Sequence, residues 1–304
     1  MKFDLIPTAS FSELITISEE TIEKIKAKNN IVSFSGGRSS RVLVHIFEEL
    51  KKQHDIQVTY IFMDTGAEHP LTYKFIRDIV EFYDIDLTCI HGVFSTKEGI
   101  GPTYKEVPIT KIGWNLEYWK KMLEAYSTPY VVGAFCTEKL KGEPCRKWLK
   151  DSFLAGSYQH WWGIREDESQ RLVKKDGVSY LAEICDFDKN EVLKWSNNQE
   201  VDLELQHEAL GNCLFCIKKG ASKISLGVAL ESEKADEFIK IIESDTVRII
   251  PTRVDHRFDM YRGNMSLRSI KKMSKNESVK HLARLINNKN SDSGNCSESC
   301  EPNL

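Results

Sequence analysis

At 304 residues, 41% hydrophobic and 10% aromatic, the chain has enough apolar material for a full core in one large domain, or one domain with a smaller appendage. No apolar run is long enough to span a bilayer, and Met1 to Glu20 lacks the basic start and apolar centre of a signal peptide, so a cytoplasmic protein with no membrane partner is expected. The net charge of −3 hides an asymmetry: residues 246–289 carry eleven Lys/Arg against three Asp/Glu, a balance suited to a polyanion such as a nucleotide or nucleic acid, or to a solvated helical face.

Residues 21–27 read as a helix leading into a buried strand, 31–34. That strand stops at Gly36-Gly37, and the chain continues directly into a helix over 39–53 with Val42, Leu43, Ile46, Phe47 and Leu50 on one face. Two adjacent glycines after a buried strand let backbone N–H groups close on an anion, and the following helix adds the positive end of its dipole. Ser35, Ser39 and Ser40 add hydroxyl donors. The simpler reading of the same residues is an ordinary strand-to-helix turn.

A second strand is expected over 58–63. Pro70 then opens a helix that runs to 83, with Phe75, Ile76, Ile79 and Phe82 at helical spacing, and 87–90 is a third strand. This alternation predicts an α/β fold, a doubly wound parallel sheet whose ligands sit at the carboxyl ends of the strands. Residues 33–40 and 63–68 lie at two such ends. In the second, Asp64, Thr65 and Gly66 supply a carboxylate, a hydroxyl and a flexible glycine. Asp64 suits a ribose, a metal ion or a leaving group, or simply a turn before Pro70, and His69 reads as a cap or surface residue.

The cysteines sort by spacing. Cys213 and Cys216 form a CxxC, and Cys136 and Cys145 lie upstream within FCTEKLKGEPC. Four thiolates from two separated loops can close a tetrahedral zinc site or hold an iron–sulfur cluster, and Lys139, Lys141, Arg146, Lys218 and Lys219 would favour the thiolate forms. Cys89 and Cys185 fit buried positions beside strands. Cys296 and Cys300 fall in a polar tail, as a mobile redox pair or as incidental thiols.

The blocks SFSGGRSS, FMDTGAEHPLTYKFIRD, FCTEKLKGEPCRKW, WWGIREDESQR and GNCLFCIKK, in this order over about residues 30–220, resemble the phosphoadenosine phosphosulfate reductase-like branch of the adenine nucleotide alpha hydrolases, the PP-loop superfamily. The version with SGGR in the loop and GNCxxC downstream is the one found in phages and mobile elements. The resemblance implies a HUP-type α/β fold with a cysteine-containing insertion. It divides the chain into a nucleotide-binding domain with a cysteine-rich segment (1–220), a helical basic region (221–288) and a disordered tail (289–304).

Carried over motif by motif, the resemblance implies that Ser35, Gly36, Gly37, Arg38, Ser39 and Ser40 hold the phosphate or sulfate end of an adenine nucleotide, with Asp64, Thr65 and Gly66 beside its sugar or alpha phosphate. Arg165 would reach across to the anion, with Glu168 and Arg171 shaping that wall; the alternative is a structural ion pair between Arg165 and Glu168. Arg38, Asp64 and Arg165 form the implied catalytic set. Cys136, Cys145, Cys213 and Cys216 would hold a [4Fe-4S] cluster, with zinc as the alternative.

Two departures bear on activity. Many ATP pyrophosphatases of the superfamily carry Asp where this loop has Ser39, so magnesium would rest on the triphosphate and Asp64. True phosphosulfate reductases carry a nucleophilic cysteine in a C-terminal ECG-type motif, which the tail NCSESCEP does not match. Three readings follow. The first is an ATP alpha-hydrolase that activates a substrate for sulfur transfer, such as nucleic-acid thiolation, with a sulfur or thiol donor protein as partner. The second is a phosphosulfate reductase acting with a thiol donor. The third is a nucleotide-sensing module with a structural metal, whose basic end meets nucleic acid or a partner protein.

Overall fold

The computed structural model describes residues 17–130, 134–251, 255, 257–258, 261–262 and 264–289; Cys296, Cys300 and the rest of the tail from 290 on lie outside the described residues. The first described helix, α1 (Glu19–Lys26), starts where the Ser18 side chain accepts from the backbone N–H of Thr21 at 3.1 Å. Acidic residues open it and lysines close it, the order the helix dipole favours. It begins ahead of the apolar pattern because the cap, not the first apolar residue, fixes the start.

Six strands follow in the chain: β1 (Asn29–Ser33), β2 (Val58–Met63), β3 (Leu87–Val93), β4 (Thr103–Val107), β5 (Tyr158–Trp162) and β6 (Val178–Tyr180). They form one sheet in the order β4-β3-β2-β1-β5-β6. β1 runs parallel to β2 and β5, and β5 parallel to β6. β4 is antiparallel to β3, so the expected parallel sheet carries one antiparallel edge. That edge strand is largely exposed and includes Lys105 and Glu106, the charged dressing that keeps an unpaired edge from pairing further. β3 extends beyond the apolar run because His91, Gly92 and Val93 pair with β4.

β1 has β2 on one side and β5 on the other, so the strand order reverses beside it. The carboxyl ends of β1 and β5 therefore flank a switch point, where a crevice opens in doubly wound sheets. Two helices flank β2 in the chain. α2 (Arg38–Gln53) follows β1 and α3 (Pro70–Tyr83) precedes β3, close to the ranges that periodicity predicts. Phe82, which shares the apolar spacing of α3, is 43% exposed; burial on this helix ends at Ile79. The remaining helices are α4 (Glu117–Tyr126), α5 (Glu143–Ser152), α6 (Lys189–Asn197), α7 (Ala221–Leu230), α8 (Ser232–Ile242), α9 (Leu267–Ser274) and α10 (Val279–Lys289).

The chain divides into two compact units. One comprises the described residues up to 62, with 71–88 and 150–204. Its core includes Ile31, Val32, Phe34, Phe47, Ile61, Ile76 and Trp161, with Phe47 edge-on to Trp161 at 5.3 Å between centroids. Buried Asn30 ties it together: its amide donates to the carbonyls of Ile25 at 2.8 Å and Gln57 at 3.1 Å and accepts from the Trp161 indole at 3.0 Å. A buried amide is tolerable only when satisfied in this way.

The other unit comprises 63–70, 89–149 and the described residues from 205 on. Its core is aromatic and aliphatic, with Trp119, Met122, Leu123, Leu214, Phe215, Phe238 and Tyr261 at the centre, and Cys136, Cys213 and Cys216 belong to the same cluster. Cys89 and Cys185 are buried, as their placement beside strands predicts, and burial pushes the Cys185 thiol up to about 11.

Candidate functional site

In the first unit, residues 34–40 leave β1 and turn into α2. Gly36 has φ +76°, and a Cβ there would stand 2.8 Å from Thr72 Cγ2 and 2.9 Å from Ile76 Cδ1. Only glycine meets both demands. Gly37 caps α2 in an extended conformation, and the first backbone N–H groups of that helix, beginning at Arg38, have no carbonyl one turn earlier to bond. The loop is internally braced. Ser40 Oγ accepts from the Ser35 N–H at 3.1 Å, lies 3.0 Å from Ser35 Oγ, and donates to the Gly37 carbonyl at 2.9 Å. The hydroxyls of Ser35 and Ser40 thus shape the loop.

Arg165 reaches this loop. It is 1% exposed; one Nη donates to Ser39 Oγ at 2.8 Å, while Nε and the other Nη hold Asp167 at 2.8 and 3.1 Å. Glu168 stands 3.6 Å away and accepts from Arg171. The ion-pair alternative therefore appears with Asp167 as the close partner and Glu168 as the bridge to Arg171. Gly163, just beyond β5, allows this approach, since a Cβ there would lie 2.8 Å from the Ser40 nitrogen.

Arg38 is held from the far side. Its Nε and one Nη donate to the two oxygens of Asp202 at 3.1 and 3.0 Å, and the same Nη donates to the Leu203 carbonyl at 2.7 Å. Its other Nη has no part in this clamp. One turn along α2, fully buried Arg41 lies over Trp195 at 5.1 Å and Phe75 at 5.9 Å; burial lowers its guanidinium from the usual range, and Tyr83 and Asp202 partly offset this. Asp202 and Gly163 could not be singled out from sequence, because a carboxylate 164 residues away from its arginine leaves no local pattern.

In the second unit, the segment after β2 is buried throughout. The Asp64 N–H donates to the Ile90 carbonyl at 2.8 Å, and Asp64 Oδ1 accepts from the Gly66 N–H at 2.8 Å. Of the roles open to Asp64, the turn-forming one is thus realised. Gly66 has φ +72°, and a Cβ there would fall 2.0 Å from the Asn115 carbonyl oxygen. Thr65 donates to Glu68 Oε1 at 2.7 Å and lies 3.4 Å from Cys213 Sγ. Glu68 bridges to Cys213 in an isolated β-pair, and the Ala67 carbonyl accepts from the Leu214 N–H at 2.8 Å.

His69 corrects the sequence reading. It is 5% exposed, not a surface cap: its Nε2 pairs with Glu231 Oε1 at 3.0 Å. Burial lowers its basicity although Glu231 pulls the other way.

Cys136, Cys213 and Cys216 line one cavity together with Thr65, Trp119, Thr137, Leu140, Lys141 and Ile217. Cys145, on α5, is buried but is not among these lining residues. Four of the five cations near the cysteines have carboxylate or carbonyl partners. Lys139 pairs with Glu143, Arg146 with Glu138, Lys141 with Glu68 at 3.6 Å, and Lys219 donates to the Leu214 carbonyl at 3.1 Å. Among the described residues no group of three or more His, Cys, Asp or Glu side chains is disposed to hold a metal ion.

The basic segment is partly consumed inside its own unit. Arg248 donates to the Ala125 carbonyl at 2.9 Å, Arg257 pairs with Asp255 at 2.8 Å, Arg268 with Glu243, and Lys271 with Asp236 at 2.7 Å. Lys272, Lys275, Lys280 and Arg284 remain exposed. Among the described residues no helix is long and apolar enough to cross a membrane.

Residues 29–196 match the family model for the phosphoadenosine phosphosulfate reductase domain. The chain is 42% identical over 276 residues to the uncharacterized nin region protein ORF290 of Escherichia phage lambda, covering 90% of this chain and 94% of the relative. It is 24% identical over 174 residues to the adenosine 5'-phosphosulfate reductase of Salinibacter ruber, covering 57% of this chain and 56% of that one. Among solved structures, the phosphoadenylyl-sulfate (PAPS) reductase from Candida auris in its phosphate complex aligns over 62% of this chain and 91% of its own, at 15% identity and a TM-score of 0.38.

Proposed function

The chain belongs to the phosphoadenosine phosphosulfate reductase domain family, and from that premise we propose that it binds an adenine nucleotide, ATP or a sulfated form, through residues 35–40. We assign it chemistry at the alpha phosphate or phosphosulfate group, in the service of sulfur transfer such as nucleic-acid thiolation. The observation that carries the reading is Arg165, a nearly fully buried guanidinium anchored on Ser39 at the entrance to a helix beside the sheet's switch point.

The chemistry on this reading is electrostatic. Negative charge grows on phosphate or sulfate oxygens as the bond to the leaving group stretches, and loop N–H groups with Arg38 and Arg165 stabilise it without having to reorganise. Asp167 and Ser39 fix the plane of Arg165, and Asp202 with the Leu203 carbonyl fixes that of Arg38, leaving one Nη of Arg38 for the ligand. Ser39 stands where related pyrophosphatases place an aspartate, so magnesium would arrive on the triphosphate.

The reductase reading has support from the named activity of the Salinibacter ruber relative. Product analysis separates the two. Pyrophosphate and AMP from ATP are the expected outcome. Sulfite from a sulfated adenine nucleotide with a dithiol would transfer the assignment to reduction, and tight binding with neither release would leave a sensing module. In the active assay, Arg165→Lys keeps the charge and loses the planar fork, so turnover should fall roughly tenfold while nucleotide affinity falls less than about threefold. Equal, small losses in both would reduce Arg165 to a structural ion pair.

A further inference from the structure

We propose that Arg41 is a positioning residue for the loop of residues 35–40, as the second partner of Asp202, which pairs with Arg38 here and turns to Arg41 when an anion engages Arg38. The ground is a buried charge without an acceptor. Arg41 is fully buried, and among the described residues none meets its three guanidinium nitrogens with hydrogen-bonding geometry. The rings of Trp195 at 5.1 Å and Phe75 at 5.9 Å receive the cation, which offsets only part of what burying it costs. Buried polar groups are nearly always satisfied, so one that is not needs a reason; here the reason is an acceptor that arrives in a second arrangement of the same side chains.

Two groups favour the charge of Arg41, Tyr83 and Asp202. The Tyr83 hydroxyl lies 3.1 Å from His45 Nδ1, and burial raises its pKa, so it stays neutral and brings no negative charge. Asp202 brings one. Arg38 and Arg41 are three residues apart on α2, hence neighbours on one face with Cβ atoms about 5–6 Å apart. Helical side chains lean towards the N-terminus, so Arg41 leans towards the turn that carries Arg38 and its carboxylate. Asp202 itself lies on the irregular segment that follows α6, the helix that also carries Trp195. Its side chain is 22% exposed, and no regular helix or strand has to break for it to move.

The exchange answers an electrostatic difficulty in the nucleotide-binding reading above, on which the identity of the anion rests. A phosphate or sulfate taken by Arg38 stands beside Asp202, and two anions on one guanidinium repel each other. With Arg41 as second partner, the carboxylate keeps a countercharge while Arg38 turns its planar fork, rather than one Nη, to the ligand. No proton moves and no covalent bond changes in the exchange.

The test uses the full-length protein and a double-mutant cycle. Calorimetry with ATP and with inorganic pyrophosphate is run on the wild type, Arg41→Met, Asp202→Asn and the double variant. Arg41→Met should weaken pyrophosphate binding roughly fivefold, but less than about twofold where Asp202 is already Asn, because no carboxylate is then left to move. Equal losses on both backgrounds would reduce Arg41 to packing between Trp195 and Phe75 and overturn the proposal. A crystal structure of Arg38→Met without ligand gives a second readout that needs neither a nucleotide nor a substitution at the buried arginine. Asp202 should then be hydrogen-bonded to the Arg41 guanidinium; Asp202 turned to water, with Arg41 still lacking an acceptor, would overturn the exchange. A wild-type chain that binds neither ATP nor pyrophosphate would remove the anion from residues 35–40, and the Arg38→Met structure would still decide whether Asp202 has two partners.

Discussion

His160 is the residue whose chemistry is most constrained by its position. It lies in β5 at 1% exposure, with Nε2 2.8 Å from Ser33 Oγ and its ring edge-on to Trp162. Burial pulls its pKa to about 3 from 6.5, so it is neutral in the folded state at every ordinary pH. Below pH 6.5 the unfolded chain binds a proton that the folded chain refuses, and stability falls as pH drops from about 6.5 towards 3, by up to about 1.4 kcal/mol per unit. Burial shifts His45, His69 and His91 in the same direction. Urea midpoints at pH 7.5, 6.0 and 5.0 should therefore fall steadily, with a visibly shallower slope in His160→Asn. An unchanged slope would mean that His160 is charged in the fold.

At the scale of the element, the turn between β1 and α2 decides whether the first unit can take a nucleotide. Gly36 carries two constraints at once, a positive φ and the side chains of Thr72 and Ile76 on α3. Gly36→Val should therefore disturb the packing of α3 as well as the loop, lowering Tm by several degrees. It should also weaken ATP binding at least tenfold, about 1.4 kcal/mol. Calorimetry on the folded fraction measures the second effect by itself, and unimpaired binding there would take the loop out of the site. The same turn explains why glycine at 163 matters, since the chain beyond β5 passes the Ser40 backbone with no room for a Cβ.

At the scale of the whole molecule, the charge asymmetry is smaller in the folded chain than in the sequence. Arg248, Arg257, Arg268 and Lys271 are engaged within their own unit, and among the described side chains of α9, α10 and the residues between them Lys272, Lys275, Lys280 and Arg284 are the exposed cations. On the nucleic-acid reading, duplex DNA held through these four would release few counterions, so log K against log salt should have a slope no steeper than about −3.6. Reversing Lys272 and Lys275 to glutamate should roughly halve it. A slope near that expected for the whole basic segment would place the polyanion on residues outside this face.

The sequence by itself determined the alternation of strands and helices, the glycine turn after the first strand and the family, because periodicity, turn chemistry and ordered motifs are local properties of the chain. The ranges of α2, α3 and β2 follow from apolar spacing alone, and Gly36 was legible because no other residue closes that turn. What only the tertiary structure decided are the partners. Asp202 behind Arg38, Asp167 beside Arg165, Glu231 on His69, and Glu68 with Lys141 behind Cys213 all depend on which segments pack together. The four cysteines show the limit most clearly. Spacing treats Cys136, Cys145, Cys213 and Cys216 as two equal pairs, while packing sets three of them around one cavity and leaves Cys145 out of its lining, because a thiol's neighbours are fixed by the helix that carries it and not by its distance along the chain.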